Sequence, residues 1–298
     1  MDYFFSPINV RNNISYAGGI DIKMIRIIGY IIVTILIITF VLWGIGKISF
    51  NRMIKQEKAA LFNSKTTDSS TISLKDLNGL PELLKNHLIQ SHVLGTKRTL
   101  NMRIKQKGKI KVDRNKDWMP FTATQYFSSL NPGFIWNAKI FPIYVRDKFL
   151  NNKGEVKVSF LGLKTIAVAA GKEVNQGSLL RYLGELVWFP SGLLDKRITW
   201  TERDAHSLNA VLTVGDLSVT GVFYFNREGL INRFEAKRYF ESNGKYTLED
   251  WSAILDSYST FDGILLPNRG RVIWNLKEGD FEYFNFEVVD YKMVVSIN

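Results

Sequence analysis

SLLRYLGELVWFPSGLL, residues 178–194, is the stretch from which the expected architecture follows. Its apolar residues recur at spacings of three and four, as on one face of an α-helix; they are Leu179, Tyr182, Leu183, Leu186 and Val187. Ser178 is suited to cap the start, and Pro190 ends the run because its ring disfavours a helical residue before it. The sequence therefore predicts one helix near residues 178–189, laid against the β-strands that dominate the chain after residue 95.

Around this helix, apolar and polar residues alternate with the period of two that is typical of half-buried β-strands. The pattern covers residues 99–112, 134–141, 143–150, 155–162 and 164–170 before the helix, and 198–204, 207–214, 217–225, 230–240 and most of 251–293 after it. Short turns join these segments, and no repeat of fixed period is visible, which disfavours a propeller. The sequence thus predicts a mainly β domain, an antiparallel meander with one or two packed helices, the second at residues 80–95.

The strand at residues 99–112 is basic on one side only. Its even positions are mostly apolar, whereas its odd positions include Arg103, Lys105, Lys107, Lys109 and Lys111. Lysines on one face protect a sheet edge from pairing with another chain. A row of cations also suits contact with anionic lipid or with an anionic envelope polymer. Both interpretations remain open.

Residues 27–46, IIGYIIVTILIITFVLWGIG, contain no charged side chain. At about 1.5 Å per residue, a helix of this length just crosses the roughly 30 Å hydrocarbon core of a bilayer. A cleaved signal peptide is the alternative, but its apolar region would be about 7–15 residues long and would end in small residues. The sequence therefore predicts an N-terminal tail at 1–23, a single membrane anchor at 24–47, a polar linker at 48–74 and a β domain at 75–298, with Met24 as an alternative start.

The orientation of this anchor does not follow from its flanking charges. Lys23 and Arg26 precede the span, whereas Lys47, Arg52 and Lys55 follow it, which weakly favours a cytoplasmic C-terminal side. Long domains, however, are translocated largely regardless of these charges. We therefore expect a single-pass protein of the cytoplasmic membrane with an extracytoplasmic β domain.

The composition limits both partners and chemistry. The 298 residues carry a formal net charge of +11, which favours anionic partners such as phospholipid surfaces, envelope polymers or nucleic acid. Nucleic acid explains the charge but not the anchor, and no nucleic-acid-binding motif is visible. The chain has no cysteine, which excludes disulfides, thiolate zinc sites and cysteine nucleophiles. Because His87, His92 and His206 also lack the spacing of a metal site, we expect no metal and no cofactor.

The central helix also carries residues that packing alone does not require. Arg181 and Glu185 can pair at i, i+4, but in the order that suits the helix dipole less well. Trp188 and Phe189 place two aromatic rings at the helix end. One interpretation is a ligand-binding site at the mouth of the sheet, formed by Arg181, Glu185, Trp188, Phe189, Trp136 and Trp200. In the other interpretation, the aromatic residues complete the core.

Two functions from different classes are therefore considered. The first is a binding module for an apolar or amphipathic, lipid-like ligand, or for an envelope protein. The second is a membrane-anchored hydrolase or transferase that uses Glu185 and Asp204, with Glu202 and Asp147 as further candidate acid–base groups. No glycine-rich phosphate loop, G-x-S-x-G or H-E-x-x-H motif is present, so the sequence favours the binding module.

The order of four motifs resembles an uncharacterised family of bacterial membrane-anchored proteins. The motifs are LPELLKNHL (80–88), WMPFTATQYFSSLNPGFIWNAKI (118–140), RYLGELVWFPSGLL (181–194) and W-x-x-x-D (200–204). RYLGELVWFP is the most specific of them. This resemblance covers residues 75–298 and implies no activity.

The meander, with its late segment DGILLPNRGRVIW (262–274), is also similar to lipoprotein carriers of the LolA and LolB type. That resemblance implies a curved antiparallel half-barrel, which wraps around a helix and shelters acyl chains. The chain departs from lipid-anchored carriers because it has no lipobox cysteine and has a membrane helix. A carrier function therefore does not follow.

Overall fold

The computed structural model describes residues 22–63, 70–98 and 100–294 of the chain. Three α-helices lie in these ranges: α1 Ile22–Leu61, α2 Glu82–Gln90 and α3 Lys172–Glu185. The strands before α3 are β1 Asn101–Ile110, β2 Met119–Ser128, β3 Gly133–Ile140, β4 Ile143–Leu150, β5 Lys153–Phe160 and β6 Lys164–Ala170. The strands after α3 are β7 Ile198–Asp204, β8 Ser207–Val214, β9 Leu217–Phe225, β10 Ile231–Ser242, β11 Lys245–Phe261, β12 Ile264–Leu276 and β13 Gly279–Val294.

These strands form one antiparallel sheet in the order β6-β5-β4-β3-β2-β1-β13-β12-β11-β10-β9-β8-β7. The first and last strands pair in the middle, so β6 and β7 are the two edges, and α3 connects them. α3 contacts both β5 and β10, which are eight positions apart in the strand order. In a flat sheet that separation is roughly 40 Å, far more than the width of a helix. The sheet therefore curves around α3, and the predicted curved antiparallel half-barrel is confirmed.

The predicted apolar face of α3 fills the concave side of the sheet. Leu179 and Tyr182 are buried, and the ring of Tyr182 stacks on Phe127 of β2 with centroids 4.9 Å apart. Gly184 lies under Phe234 of β10, where a Cβ atom would come within 2.7 Å of the ring. This close approach explains a glycine near the end of the helix, where its low helix propensity is a cost.

The bounds of this helix differ from the prediction. α3 covers Lys172–Glu185, and a short 3-10 helix follows at Leu186–Trp188. Ser178 therefore lies inside the helix, buried against Gly154 of β5, and does not cap its start. Residues 172–177, KEVNQG, have too few apolar side chains to reveal a helix by periodicity.

The polar linker predicted at 48–74 is wrong for its first part, because residues 48–61 continue α1 as a helix. Phe50 and Ile54, one turn apart, are buried against the sheet. The ring of Phe50 packs on Tyr144 of β4 with centroids 5.2 Å apart. This apolar face, rather than the serine and threonine content farther on, determines the structure of the segment.

Ion pairs fix the same segment to the convex face of the sheet. Glu57 lies 3.2 Å from Arg146 and 2.7 Å from Lys148, and Arg146 is buried. Asp147, between these two residues of β4, points to the concave side, where it meets α3. Residues 64–69 of the predicted linker lie outside the described residues.

The chain divides into two compact units, residues 1–44 and residues 45–298. In the described part of the first unit, most of the large apolar side chains of α1 are exposed. Among the described residues, α1 is the one helix long and apolar enough to cross a membrane by length and composition. Of the tail predicted at 1–23, residues 1–21 lie outside the described residues, and Ile22 and Lys23 begin α1.

α2 packs within the second unit and buries a histidine. His87 of this helix has no exposed surface. Its Nδ1 accepts a hydrogen bond from the backbone N–H of Ile231 at 3.3 Å, and its ring packs edge-on to Phe225 at a centroid distance of 6.1 Å. Burial lowers the pKa of His87 to about 3, so the folded protein holds this ring in its neutral form.

We expect the protein to lose stability as the pH falls below about 6.5, the ordinary pKa of histidine. In that range His87 takes up a proton in the unfolded chain, but in the folded chain it does so only near its lowered pKa of about 3. At about 1.4 kcal/mol per pH unit, the loss from this residue between pH 6.5 and pH 5 is about 2 kcal/mol. His87→Asn keeps an acceptor for Ile231 and cannot be protonated, so its melting temperature should fall less between neutral pH and pH 5.

His92→Asn is the matched control for this measurement, because His92 is exposed in the turn after α2. It should lose as much stability on acidification as the unaltered protein. An equal fall of melting temperature in His87→Asn would contradict the prediction.

Candidate functional site

A cavity of about 410 Å³ lies on the concave side of the sheet. It is lined by the C-terminal end of α3, by Ile110 of β1, by strands β3–β5 and by strands β10–β13. Most of its wall is apolar, and its aromatic side chains include Trp136, Trp188, Trp251, Trp274, Phe284 and Phe286. Alternate residues of one strand, such as Trp251, Ala253 and Leu255 in β11, reach the cavity together because they point to the same face.

One side of the cavity carries a buried charge network. The guanidinium of Arg181 donates to Oε1 of Glu185 at 2.8 Å and to Oδ2 of Asp147 at 2.6 Å. Gln125 of β2 accepts from Arg181 at 3.2 Å and donates to Glu185 at 2.6 Å. The three charged side chains are only 13–16% exposed. α3 thus supplies an ion pair one turn apart, and the facing strands complete its hydrogen bonds.

This network holds two carboxylates against one guanidinium, so it carries one excess negative charge when all three are ionised. Burial raises the pKa of Glu185, against the opposing effect of Arg181. Burial lowers the pKa of Arg181, but Glu185 and Asp147 outweigh it and hold that pKa above its ordinary value. The guanidinium also lies over Phe134 and Trp136, 4.7 Å and 5.3 Å from the ring centroids. Arg181 is therefore neutralised within the protein.

A second arginine, Arg238 of β10, lines the same cavity. Its Cζ lies 5.1 Å from the ring centroid of Trp251 and 5.7 Å from that of Trp274. Its Nη1 lies 3.5 Å from the hydroxyl oxygen of Tyr283, which also accepts a hydrogen bond from Nε1 of Trp251 at 3.1 Å. Two indole rings, a phenol and a guanidinium thus meet on the wall formed by β10–β13.

The structure brings four of the six predicted ligand-binding residues to this cavity: Arg181, Glu185, Trp188 and Trp136. Phe189 instead completes the core, buried edge-on against Phe127 at a centroid distance of 6.4 Å. Trp200 packs on Phe223 of β9 and donates to the carbonyl oxygen of Leu193. Phe189 and Trp200 therefore fit the interpretation in which the aromatic residues complete the core. The ligand-binding roles of the four residues in the cavity stay predictions.

The carboxylates proposed for catalysis lie in two places: Asp147 and Glu185 both line the cavity, whereas the other two lie on the edge strand β7. Asp204 is exposed at the end of this strand and Glu202 precedes it there. Asp204 accepts from Ser207 Oγ at 2.7 Å and from the N–H of His206 at 2.8 Å, and these bonds lower its pKa. The pair expected for the enzyme alternative does not form a joint site. Within the described ranges, no three His, Asp or Glu side chains are grouped as a metal site requires.

Sequence reasoning missed Arg238 and Tyr283. A signal for Arg238 exists in β10, because Ala236 and Phe240, two residues to either side, belong to the apolar face. Tyr283 gives no such signal, since the pairing of β12 with β13 shifts register beside it. The resulting bulge lets both Tyr283 and Phe284 reach the cavity.

The basic strand predicted at residues 99–112 is β1, and its cations are largely paired. Arg103 and Lys105 both approach Asp290 of β13, the latter at 3.6 Å, and Lys107 lies 3.4 Å from Glu287. Because β1 lies between β2 and β13, its lysines do not protect a sheet edge, and that interpretation is wrong. Contact with an anionic surface stays a prediction, and such a surface would compete with these ion pairs.

Residues 70–286 match the model of a family of unknown function, DUF6544. The chain belongs to this family. The uncharacterised family predicted from RYLGELVWFP and its companion motifs is thereby confirmed, and its description names no activity. No curated protein matches the chain in sequence.

Solved structures to which the chain is similar include a LolA superfamily protein from Nitrosomonas europaea, with 10% identity and a TM-score of 0.42 over 71% of this chain and 92% of that one. A DUF1329 family protein from Desulfovibrio piger has 8% identity and a TM-score of 0.40, over 72% and 93%. A putative outer membrane lipoprotein-sorting protein domain from Vibrio parahaemolyticus has 6% identity and a TM-score of 0.41, over 73% and 93%. The predicted resemblance to LolA-type proteins is confirmed.

Proposed function

We propose that this protein is a membrane-anchored binding module that holds an amphipathic, lipid-like molecule between α3 and the curved sheet. The observation that carries the proposal is the cavity of about 410 Å³ with its aromatic and aliphatic wall. In this proposal α1 spans the cytoplasmic membrane, and the β domain lies on its extracytoplasmic side.

The size and the lining of the cavity support a small amphipathic ligand. Ligand pockets typically enclose about 300–1,000 Å³ and combine an apolar wall with a few polar groups. Each methylene of an alkyl chain gains about 0.8 kcal/mol when it leaves water for such a wall. A chain of about ten methylenes therefore has a large gross driving force, from which the costs of ordering the ligand are subtracted.

The other candidate functions have less support. An envelope protein binds through an extended exposed surface, whereas the apolar groups of this site are gathered in a concave cavity. Catalysis by Glu185 and Asp204 requires both carboxylates at one place, but Asp204 is not among the residues that line the cavity. The buried Glu185 instead serves the network around Arg181.

Native mass spectrometry of the full chain, extracted from membranes in a neutral detergent, tests this proposal. We expect one co-purified molecule of lipid-like mass per protein. Ala253→Leu combined with Val272→Phe adds side-chain volume to the cavity wall and should remove this mass. Ala205→Leu, in the exposed turn after β7, is the matched control and should retain it. A filled variant that melts like the unaltered protein and keeps the bound mass would rule out this cavity as the site.

A further inference from the structure

Arg238 is held in a fixed position within the cavity but is not neutralised there. Its guanidinium lies against Trp251 and Trp274, and a Cβ atom on Gly177 of α3 would come within 3.2 Å of its Nε. Glu249 is its cross-strand partner in the register of β10 and β11. Even so, among the described residues no carboxylate oxygen lies within ion-pair distance of Arg238.

Tyr283 adds a second donor beside this cation. Its hydroxyl oxygen accepts from Nε1 of Trp251 and from Nη1 of Arg238, and both of those groups can only donate. The hydroxyl hydrogen of Tyr283 is therefore left to be donated. No acceptor for it is found among the residues that the structure describes. A guanidinium and a phenol O–H thus converge, each with capacity to donate to a ligand.

The rest of the cavity determines where an anionic group fits. Arg181 already faces both Glu185 and Asp147, so an anion beside it would meet an excess of negative charge. No carboxylate oxygen of the described residues lies within ion-pair distance of Arg238, and Glu241, which also lines the cavity, accepts from the backbone N–H of Gly244. Tyr239, the neighbour of Arg238 in the cavity wall, is exposed. An anionic head group at Arg238 would therefore lie toward solvent, with its chain among the apolar residues deeper in the cavity.

We infer that Arg238 and Tyr283 form the head-group site of the cavity, and that the ligand is an amphiphile with an acidic head group, a carboxylate or a phosphate. This inference rests on the proposed lipid-like ligand and specifies its chemistry. A planar guanidinium presents paired N–H donors that match the oxygens of either acid. The stacked indoles keep the side chain in place, so little freedom is lost when the anion binds.

Four probes distinguish this inference from the more general proposal. Binding of dodecanoate, dodecyl phosphate, 1-dodecanol and inorganic phosphate to the full chain is measured by native mass spectrometry in a neutral detergent. We expect the unaltered protein to bind at least one of the two acids at least about tenfold more tightly than 1-dodecanol, which has the same chain length. This comparison uses the unaltered protein alone, so it does not depend on the folding of a variant. If dodecanoate binds more tightly, the head group is a carboxylate, and if dodecyl phosphate binds more tightly, it is a phosphate. Inorganic phosphate alone should bind weakly, because it lacks the chain.

Arg238→Gln should abolish this preference and leave the binding of 1-dodecanol unchanged, and Tyr283→Phe should reduce it several-fold. Lys237→Gln is the matched control: it removes the same charge from the neighbouring position of β10, where Lys237 pairs with Asp250 on the other face. Equal binding of the acids and the alcohol by the unaltered protein would overturn the head-group site while the apolar cavity remains supported. If no dodecyl compound binds, the proposed function fails as well.

Discussion

Arg181→Met is expected to lower the free energy of unfolding by about 3–5 kcal/mol, because removal of one partner leaves buried charges without compensation. Arg181 lies 2.8 Å from Glu185 and 2.6 Å from Asp147, and none of the three side chains is more than 16% exposed. Without the guanidinium, the two carboxylates repel each other and Gln125 loses one of its hydrogen-bond partners. Denaturant unfolding of the full chain, followed by tryptophan fluorescence, measures the loss.

Two further variants test whether this loss of stability comes from the buried network. Adding Glu185→Gln and Asp147→Asn to Arg181→Met removes both uncompensated charges, so the triple variant should recover a large part of the stability. Arg103→Met breaks the more exposed pair with Asp290 on the other face of the sheet and should cost less than about 1 kcal/mol. If Arg181→Met cost no more than Arg103→Met, the network would not have the role described.

The part of the fold that could be predicted from the sequence depends on local patterns. The 3.6-residue spacing of Leu179, Tyr182 and Leu183 indicates which side of α3 is buried, and the alternation in the strands indicates a half-buried sheet. The same spacing places Arg181 and Glu185 one turn apart. Their partners are not local: Gln125 and Asp147 lie in β2 and β4, and no spacing within α3 reveals them.

The order of the strands could not be predicted either, because strand pairing is also a contact between residues far apart in the sequence. Nothing in residues 99–112 shows that β1 pairs with β13, the strand farthest from it in sequence. The lysines of β1 therefore suggest a sheet edge, although Asp290 and Glu287 of β13 lie beside them. Arg238 is a single cation in the apolar row of β10, and the residues that surround it, Trp251, Trp274 and Tyr283, lie on three other strands, so no spacing within β10 indicates a binding group.

Trp188→Ala is expected to cost about 3–5 kcal/mol of folding free energy, the usual range for removal of a buried aromatic side chain. The indole is 4% exposed and packs edge-on against Phe286 with centroids 5.0 Å apart. Its Nε1 also donates to the buried carbonyl oxygen of Pro267 at 2.8 Å. Trp188→Phe keeps most of the apolar contact but leaves that oxygen without its donor, so a smaller loss of about 1–3 kcal/mol is expected.

Because Trp188 belongs to the core and also lines the cavity, stability and ligand retention should fall together in Trp188→Ala. Trp200→Ala separates the two effects, since Trp200 is half-buried, packs on Phe223 and does not line the cavity. It should cost less stability and leave the co-purified mass unchanged. Thermal unfolding and native mass spectrometry of the same preparations provide both measurements. A loss in Trp188→Ala below about 1 kcal/mol would mean that this ring is not packed as part of the core.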